Sequence, residues 1–275
     1  MKKILVFGSN GMLGRYVWKF LKQQGKTVSP LNRDFFDVAN VASNFLEWSW
    51  MTNPGDIVIN CTGVIKSQIN NSNVAEVIKV NSLFPHVLQD QCEKLQLKHF
   101  HITTDCVFDG LIYGETYMEN HPHTEDGIYG KSKSIGEPAN ATVIRTSIIG
   151  EEVKQSRSLI EWAKSNKNKQ VEGFENHFWN GVTCLQLSKI INQIIDNDSY
   201  WNGVRHIFSP KVVSKKELLH LISEVFDLNL SISSKFSYPC MRALSSCYVD
   251  TEALLKMPDL KQQLIELKEF NIGEK

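Results

Sequence analysis

Tyr129-Gly130-Lys131-Ser132-Lys133 sets a phenol and an ammonium four residues apart. On a helix, residues i and i+4 share a face, so Tyr129 and Lys133 can enter one pocket. A free phenol has a pKa of ~10, and a nearby cation favours its ionised form. Such a pair can give and take a proton near neutral pH. The bare spacing is also what two solvated helix residues would produce. A second group of residues lies at the N-terminus. Gly8, Gly11 and Gly14 follow the apolar run Ile4-Leu5-Val6-Phe7 and lead into a helical stretch, Arg15 to Gln24. A buried strand, a glycine turn and a helix N-terminus together form a dinucleotide site. Glycine permits the tight turn and lets backbone N–H groups approach a pyrophosphate. Asn10, Met12 and Leu13, between the glycines, belong to the same cofactor-binding set. The spacing Gly-x-x-Gly-x-x-Gly is a variant of the Gly-x-Gly-x-x-Gly fingerprint. No Gly-Lys-Ser/Thr follows, which excludes a P-loop.

The strand after that helix ends at Leu31-Asn32-Arg33-Asp34. An acidic residue there holds the ribose of NAD, whereas an arginine nearby suits the 2′-phosphate of NADP. Asn32 and Arg33, with Arg15 beyond the third glycine, favour NADPH over NADH. Asp34 is the alternative ribose partner.

The elements that must position these groups alternate. Strands are expected at Ile4 to Phe7, Thr27 to Leu31, Asp56 to Asn60, His99 to Thr103 and Thr142 to Arg145. Helices are expected at 15–24, 41–51, 73–96 (disturbed at Pro85) and 129–136. This order predicts an α/β protein with a doubly wound parallel sheet of Rossmann type. Ligands in such sheets sit at the carboxyl ends of strands, where Gly8, Asn60, Thr104 and Arg145 fall. Past residue 150 the alternation loosens. Helices are expected near 156–166, 183–197, 214–227 and 259–270, a strand near 204–208, and turns near 173–181, 197–203 and 231–239. The chain thus divides into a dinucleotide-binding domain, 1–150, and a smaller substrate lobe, 151–275, some of whose segments return to the sheet.

Composition narrows the function classes. Thirty basic residues balance thirty acidic ones, which argues against a general nucleic-acid or membrane-surface binder. Six cysteines show no Cys-x-x-Cys spacing and read as reduced thiols of a cytoplasmic protein. Met1-Lys2-Lys3 leads into only four apolar residues before Gly8, too short for a signal-peptide core. No apolar run is long enough to span a bilayer. His121-Pro122-His123 invites a metal, but no third ligand is signalled, so no metal is expected and the histidines read as solvated. Trp48 and Trp50 read as packing residues.

Three runs, taken in order, carry a resemblance. They are His101-Ile102-Thr103-Thr104-Asp105-Cys106-Val107-Phe108-Asp109-Gly110, then Tyr129 to Lys133 with Gly136-Glu137, then Val143-Ile144-Arg145-Thr146-Ser147. With the glycine turn they resemble the extended short-chain dehydrogenases/reductases, and within them the dTDP-4-dehydrorhamnose reductases. Those enzymes carry Ser-Thr-Asp-Tyr-Val-Phe-Asp-Gly and Arg-Thr-Ser at the matching places. Asn180-Gly181-Val182-Thr183 is a weaker echo. The resemblance implies a catalytic trio. Thr104 would bond a substrate carbonyl oxygen, Tyr129 would protonate it, and Lys133 would bond the nicotinamide ribose and hold the Tyr129 pKa down. Asp37 and Val38 match the position near the adenine. Cys61, Thr62 and Gly63, after Asn60, match the loop beside the cofactor, and Asn81 matches a supporting helical asparagine. Asp105 and Cys106 would face the sugar, although Cys106 stands where the reductases carry Tyr. Arg242 is the candidate clamp for a nucleotide diphosphate, ahead of Lys235.

The expected function is NADPH-dependent reduction of a nucleotide-activated 4-keto-6-deoxy sugar for surface polysaccharide. The partner is a nucleotide sugar; the sequence leaves a homodimer open. Two alternatives stand beside it: a sugar-nucleotide epimerase with bound NAD, and a non-catalytic NADP-binding regulatory subunit. The intact trio argues against the latter. Asp105 is followed by Cys rather than Glu, so the acid–base pair of a 4,6-dehydratase is incomplete.

Overall fold

The computed structural model of the chain describes residues 2–40, 48–71, 73–112, 114–153 and 158–273. The first half comprises β1 (Lys3–Phe7), α1 (Met12–Gln23), β2 (Thr27–Leu31), β3 (Ile57–Asn60), α2 (Val74–Ile78), α3 (Phe84–Lys94), β4 (Lys98–Thr104), α4 (Ile128–Ile135) and β5 (Thr142–Thr146). The second comprises β6 (Ile148–Ile149), α5 (Leu159–Ser165), β7 (Gln170–Phe174), β8 (His177–Trp179), β9 (Val182–Thr183), α6 (Cys184–Asp196), β10 (Gly203–His206), β11 (Val213–Ser214), α7 (Lys215–Val225), β12 (Ser231–Lys235), β13 (Cys240–Met241) and α8 (Leu260–Glu269).

Six strands form one parallel sheet in the order β10-β5-β4-β3-β1-β2. After β2 the chain returns to the far side of β1, so the strand order reverses between β1 and β3. That reversal opens the crevice in which such sheets bind ligands. Apolar residues run unbroken along the inner strands because both faces are covered. Ile4 and Val6 enter one core with α1, α6 and α8, whereas Leu5 and Phe7 enter the other with Phe84 and Leu88 of α3. Each such side chain contributes ~1.5–3 kcal/mol on burial. β2 is an edge strand, which accommodates Pro30. Ser158, Thr183, Ser214 and Asp259 cap α5, α6, α7 and α8 through their side chains.

Several details depart from expectation. Residues 41–47 of the expected helix 41–51 lie outside the described residues, and Ser49–Met51 is a single 3-10 turn. Trp48 is fully buried and edge-on to Phe7, but Trp50 is 76% exposed, against its expected packing role. The expected helix 73–96 is continuous over 74–94, through a π turn at Lys79–Leu83. Pro85 lacks an N–H, and the wider turn absorbs the missing bond. Of the expected turns, 173–181 and 231–239 contain strands. β12 pairs with β7 in parallel, while β11 and β13 flank β8. β10 joins the main sheet beside β5.

Candidate active site

A cavity of about 580 Å³ opens at the reversal point. Residues 10–13 of the glycine turn line one end; Thr104, Asp105, Cys106, Tyr129 and Lys133 line the other. Cys61, Thr62 and Gly63 lie between them and also line a second cavity of about 380 Å³, with Gly8, Asn32, Arg33, Asp37 and Val38.

Local packing builds the polar end. A Cβ on Gly130 would stand 2.4 Å from the Cys106 carbonyl oxygen and from Glu125 Cγ. Only glycine lets the first turn of α4 lie this close to the end of β4. Tyr129 is thereby brought into the same cavity lining as Thr104. Thr104 Oγ1 donates to Asp105 Oδ1 at 3.1 Å and accepts the Cys106 N–H at 3.1 Å. One turn along α4, the buried Lys133 Nζ donates to the Ile102 carbonyl at 3.1 Å.

Burial governs the titration of the site. It pushes the Lys133 ammonium down to about 8, opposed first by Glu137 and then by Cys61. It pushes the Tyr129 phenol up, with Cys106 adding to the rise and Thr104 opposing it. The expectation that Lys133 holds this phenol down is therefore not met; the ammonium is directed at the Ile102 carbonyl. Burial also raises Asp105, against Lys215 and Arg242. The Cys61 and Cys106 thiols both rise to about 12, so neither is a thiolate nucleophile near neutral pH.

Asn81 ties this end together from the π turn. Its Oδ1 accepts the Val64 N–H at 2.8 Å, and its Nδ2 donates to the Val64 carbonyl at 3.0 Å and Ser132 Oγ at 3.1 Å. Asn81 thus pins the loop after β3 to the helix that carries Tyr129 and Lys133.

The other end fits a dinucleotide. Gly8 has φ +75°, and a Cβ there would stand 2.9 Å from the Cys61 carbonyl group. A Cβ on Gly14 would stand 2.2 Å from the Gly8 carbonyl oxygen, so Gly14 serves the turn rather than the cavity wall. Gly11 caps α1 with no side-chain hydrogen bond, which leaves the first amides of the helix to an anionic ligand. Arg33 lies at the second cavity, paired with Asp37 at 3.2 Å and Glu76 at 3.0 Å. Its fork is thus engaged by two carboxylates.

Two arginines lie elsewhere than their sequence positions suggest. Arg242 is not on the cavity wall but beside it. Its Nη2 pairs with Glu125 Oε2 at 2.8 Å, and its Nη1 donates to Cys106 Sγ at 3.4 Å. Arg145 is fully buried and grips Glu137 with Nε and Nη2, at 3.1 and 2.6 Å. Arg145 also donates to His206 Nε2 at 3.0 Å and His123 Nε2 at 2.7 Å. His123 is therefore a partner of a buried guanidinium, not merely a solvated loop residue. Sequence reasoning missed Glu125, Lys215 and the role of Glu137. Glu125 and Lys215 belong to no motif, and their place depends on packing between distant segments. Among the described residues, no helix is long and apolar enough to cross a membrane.

The family model described as RmlD substrate binding domain matches residues 1–246. The dTDP-4-dehydrorhamnose reductase of Mycobacterium tuberculosis is 28% identical over 155 residues, 53% of this chain and 50% of that protein. In that match the chain spans about half the length of its relative. The probable low-salt glycan biosynthesis reductase Agl14 of Haloferax volcanii is 25% identical over 96% of both chains. In fold, the chain is similar to dTDP-4-dehydrorhamnose reductase from Bacillus anthracis, solved in complex with NADP. The TM-score is 0.83 at 17% identity, with 98% of this chain and 99% of that one covered.

Proposed function

The chain belongs to the RmlD substrate binding domain family, and on that premise we propose that it reduces a nucleotide-activated 4-keto-6-deoxy sugar with NADPH. The observation that carries this reading is one continuous cavity. It joins an uncapped helix N-terminus behind a glycine turn to Thr104, Tyr129 and Lys133.

A nicotinamide bound along that cavity supplies the hydride. Residues 10–13 hold the pyrophosphate with backbone amides, and the pocket at Asn32, Arg33, Asp37 and Val38 takes the adenosine half. Adding hydride to a ketone places negative charge on its oxygen, which needs a donor and then a proton. Tyr129 is the acid and Thr104 orients it at that oxygen. Lys133 bonds the ribose and sets the local charge. Asp105 and Cys106 form the wall beside the sugar. Cys106 offers a smaller side chain than the Tyr expected there, so this wall admits a different hexose or substituent. Arg242, held beside this wall by Glu125 and Cys106, is the candidate for the diphosphate once that pairing is exchanged. NADPH and nucleotide sugars are cytoplasmic metabolites, so we place the protein there.

The test is a panel of nucleotide sugars, each incubated with protein and NADPH while the nicotinamide absorbance is followed. Oxidation is expected with a 4-keto-6-deoxy member and not with its 4-hydroxy counterpart. Equal silence across the panel would remove the reading.

A further inference from the structure

Asn60 closes β3 and is fully buried, as is His101 beside it on β4. Two residues on, Thr62 lines both cavities. Three contacts join these side chains. Asn60 Oδ1 accepts the Thr62 N–H at 3.0 Å and the Thr62 hydroxyl at 2.6 Å, and Asn60 Nδ2 lies 3.1 Å from His101 Nδ1. A backbone N–H can only donate, so the amide oxygen must face Thr62 and the amide nitrogen must face the imidazole. His101 Nδ1 is therefore an acceptor. Its proton sits on Nε2, which finds no partner among the described residues. The Thr62 hydroxyl has one proton, and Asn60 accepts it, so only acceptor capacity remains on that oxygen. We propose that His101 and Asn60 are positioning residues: they make the Thr62 hydroxyl a fixed acceptor for the 3′-hydroxyl on the adenosine ribose of the dinucleotide.

The face of the sheet decides which half of the dinucleotide is read. Val58 packs with Phe7 and Phe36, and Asn60, two residues on, shares that face. Phe7 and Phe36 line the second cavity together with Arg33 and Thr62, so Thr62 belongs with the adenosine. In NADPH the 2′ position of that ribose carries phosphate, which leaves the 3′-hydroxyl as its donor. Phosphate oxygens are themselves acceptors and gain nothing from an acceptor in the wall. Thr62 thus tells ribose from pyrophosphate and sets the register of the dinucleotide against the amides of residues 10–13. The wall around it is held at both ends. The Cys61 N–H bonds the Phe7 carbonyl at 3.1 Å, and Asn81 holds the N–H and carbonyl of Val64. A Cβ on Gly8 would stand 3.0 Å from the Thr62 nitrogen, so the loop is seated on the glycine turn. An unpartnered buried N–H destabilises a fold, and service to Asn60 accounts for an imidazole at this position. Burial and the Lys133 ammonium keep that imidazole neutral, as an acceptor must be.

This role rests on the reading of the two cavities as a dinucleotide site, and binding tests it without turnover. NADPH fluorescence is followed while ADP, 2′-deoxy-ADP or 3′-deoxy-ADP displaces the bound cofactor. In the wild type ADP and 2′-deoxy-ADP should compete alike. The 3′-deoxy nucleotide should compete about fivefold more weakly, the scale of one neutral hydrogen bond. Thr62→Val nearly keeps the side-chain shape but has no acceptor, and should bring the ratio of ADP to 3′-deoxy-ADP affinity to about one. Thr62→Ser should keep the ratio. His101→Phe removes the acceptor that holds the Asn60 amide and should shrink the ratio, whereas His101→Gln, which offers a carbonyl oxygen, should preserve it. A merely structural change weakens all three nucleotides equally and leaves the ratio alone. Equal competition by the three in the wild type, or a loss confined to the 2′-deoxy nucleotide, overturns the proposal and leaves the dinucleotide site standing. So does an undiminished ratio in Thr62→Val, which decides the matter if His101→Phe does not fold. An undiminished ratio in folded His101→Phe removes the histidine from the role. Failure of NADPH to bind at all would overturn the dinucleotide reading and the proposal with it.

Discussion

Tyr129 is a phenol made less acidic by burial, and it shares a cavity with Thr104. A raised pKa keeps it protonated, which suits a proton donor to a newly formed alkoxide. Tyr129→Phe keeps the ring and removes the proton. It should lower kcat by ~10²–10⁴ while leaving cofactor affinity near wild type. Single-turnover kinetics and a cofactor titration separate the two effects, and wild-type turnover would remove Tyr129 from the role. A second residue-scale expectation concerns Arg33, which is shared between Asp37 and Glu76. Binding a 2′-phosphate requires part of that fork. Glu76→Gln should therefore tighten NADPH relative to NADH, and Arg33→Ala should erase the preference. Fluorescence titration with both cofactors reads this directly. Unchanged ratios in both variants would assign Arg33 to the surface network alone. The positions of these residues were legible in sequence because each sits at a strand end or at helical spacing. Their charge states were not, because burial depends on segments far away in the chain.

At the scale of elements, α4 is positioned by close backbone approaches. A Cβ on Gly136 would stand 1.8 Å from the Asn81 carbonyl oxygen in the π turn. Gly136→Ala must therefore push α4 off that turn, and overpacking of this kind costs about 1–3 kcal/mol. It should lower the melting temperature and also weaken catalysis, because Asn81 ties the same helix to the loop after β3. A melting curve and kcat on one preparation check both, and loss of neither would mean that the helix is not seated by this contact. The parallel strands were readable as apolar runs because both sheet faces are covered. The π turn was visible only as a disturbance at Pro85, since periodicity does not tell a kink from a widened turn. In the second half the strand near 204–208 was readable and is β10, whereas β6, β9, β11 and β13 were missed because each is two residues long. β12, Ser-Ile-Ser-Ser-Lys, has the composition of a turn and becomes a strand by pairing with β7.

Across the whole molecule, buried histidines tie the sheet to its surroundings: His99 of β4 bonds Gln89 of α3, and His206 of β10 bonds Arg145 of β5 and the Ser245 carbonyl. Burial lowers His99 to about 3 and His206 to about 4. Unfolding returns each to ~6.5. Below that pH the unfolded chain binds protons that the native chain refuses, so native stability falls as pH drops. For His206 the loss runs from about 6.5 to about 4 and then levels. Each histidine contributes up to ~1.4 kcal/mol per pH unit in its window. Asp105, raised by burial, acts in the opposite sense but is a single group. Urea midpoints at pH 7.5, 6 and 5 should fall in that order. A constant midpoint would mean that these imidazoles are already charged in the native state.

The proposed reductase reading joins the dinucleotide crevice to Thr104, Tyr129 and Lys133 and expects hydride transfer from an added cofactor to a sugar. The most direct measurement uses NADPH deuterated at the transferred position, with an accepted nucleotide sugar, and mass spectrometry of the product. One deuterium should appear on the sugar carbon per turnover, with matching loss of nicotinamide absorbance. Conversion of the sugar with no added cofactor and no deuterium uptake would contradict the account and point to an epimerase that returns its hydride to the same sugar.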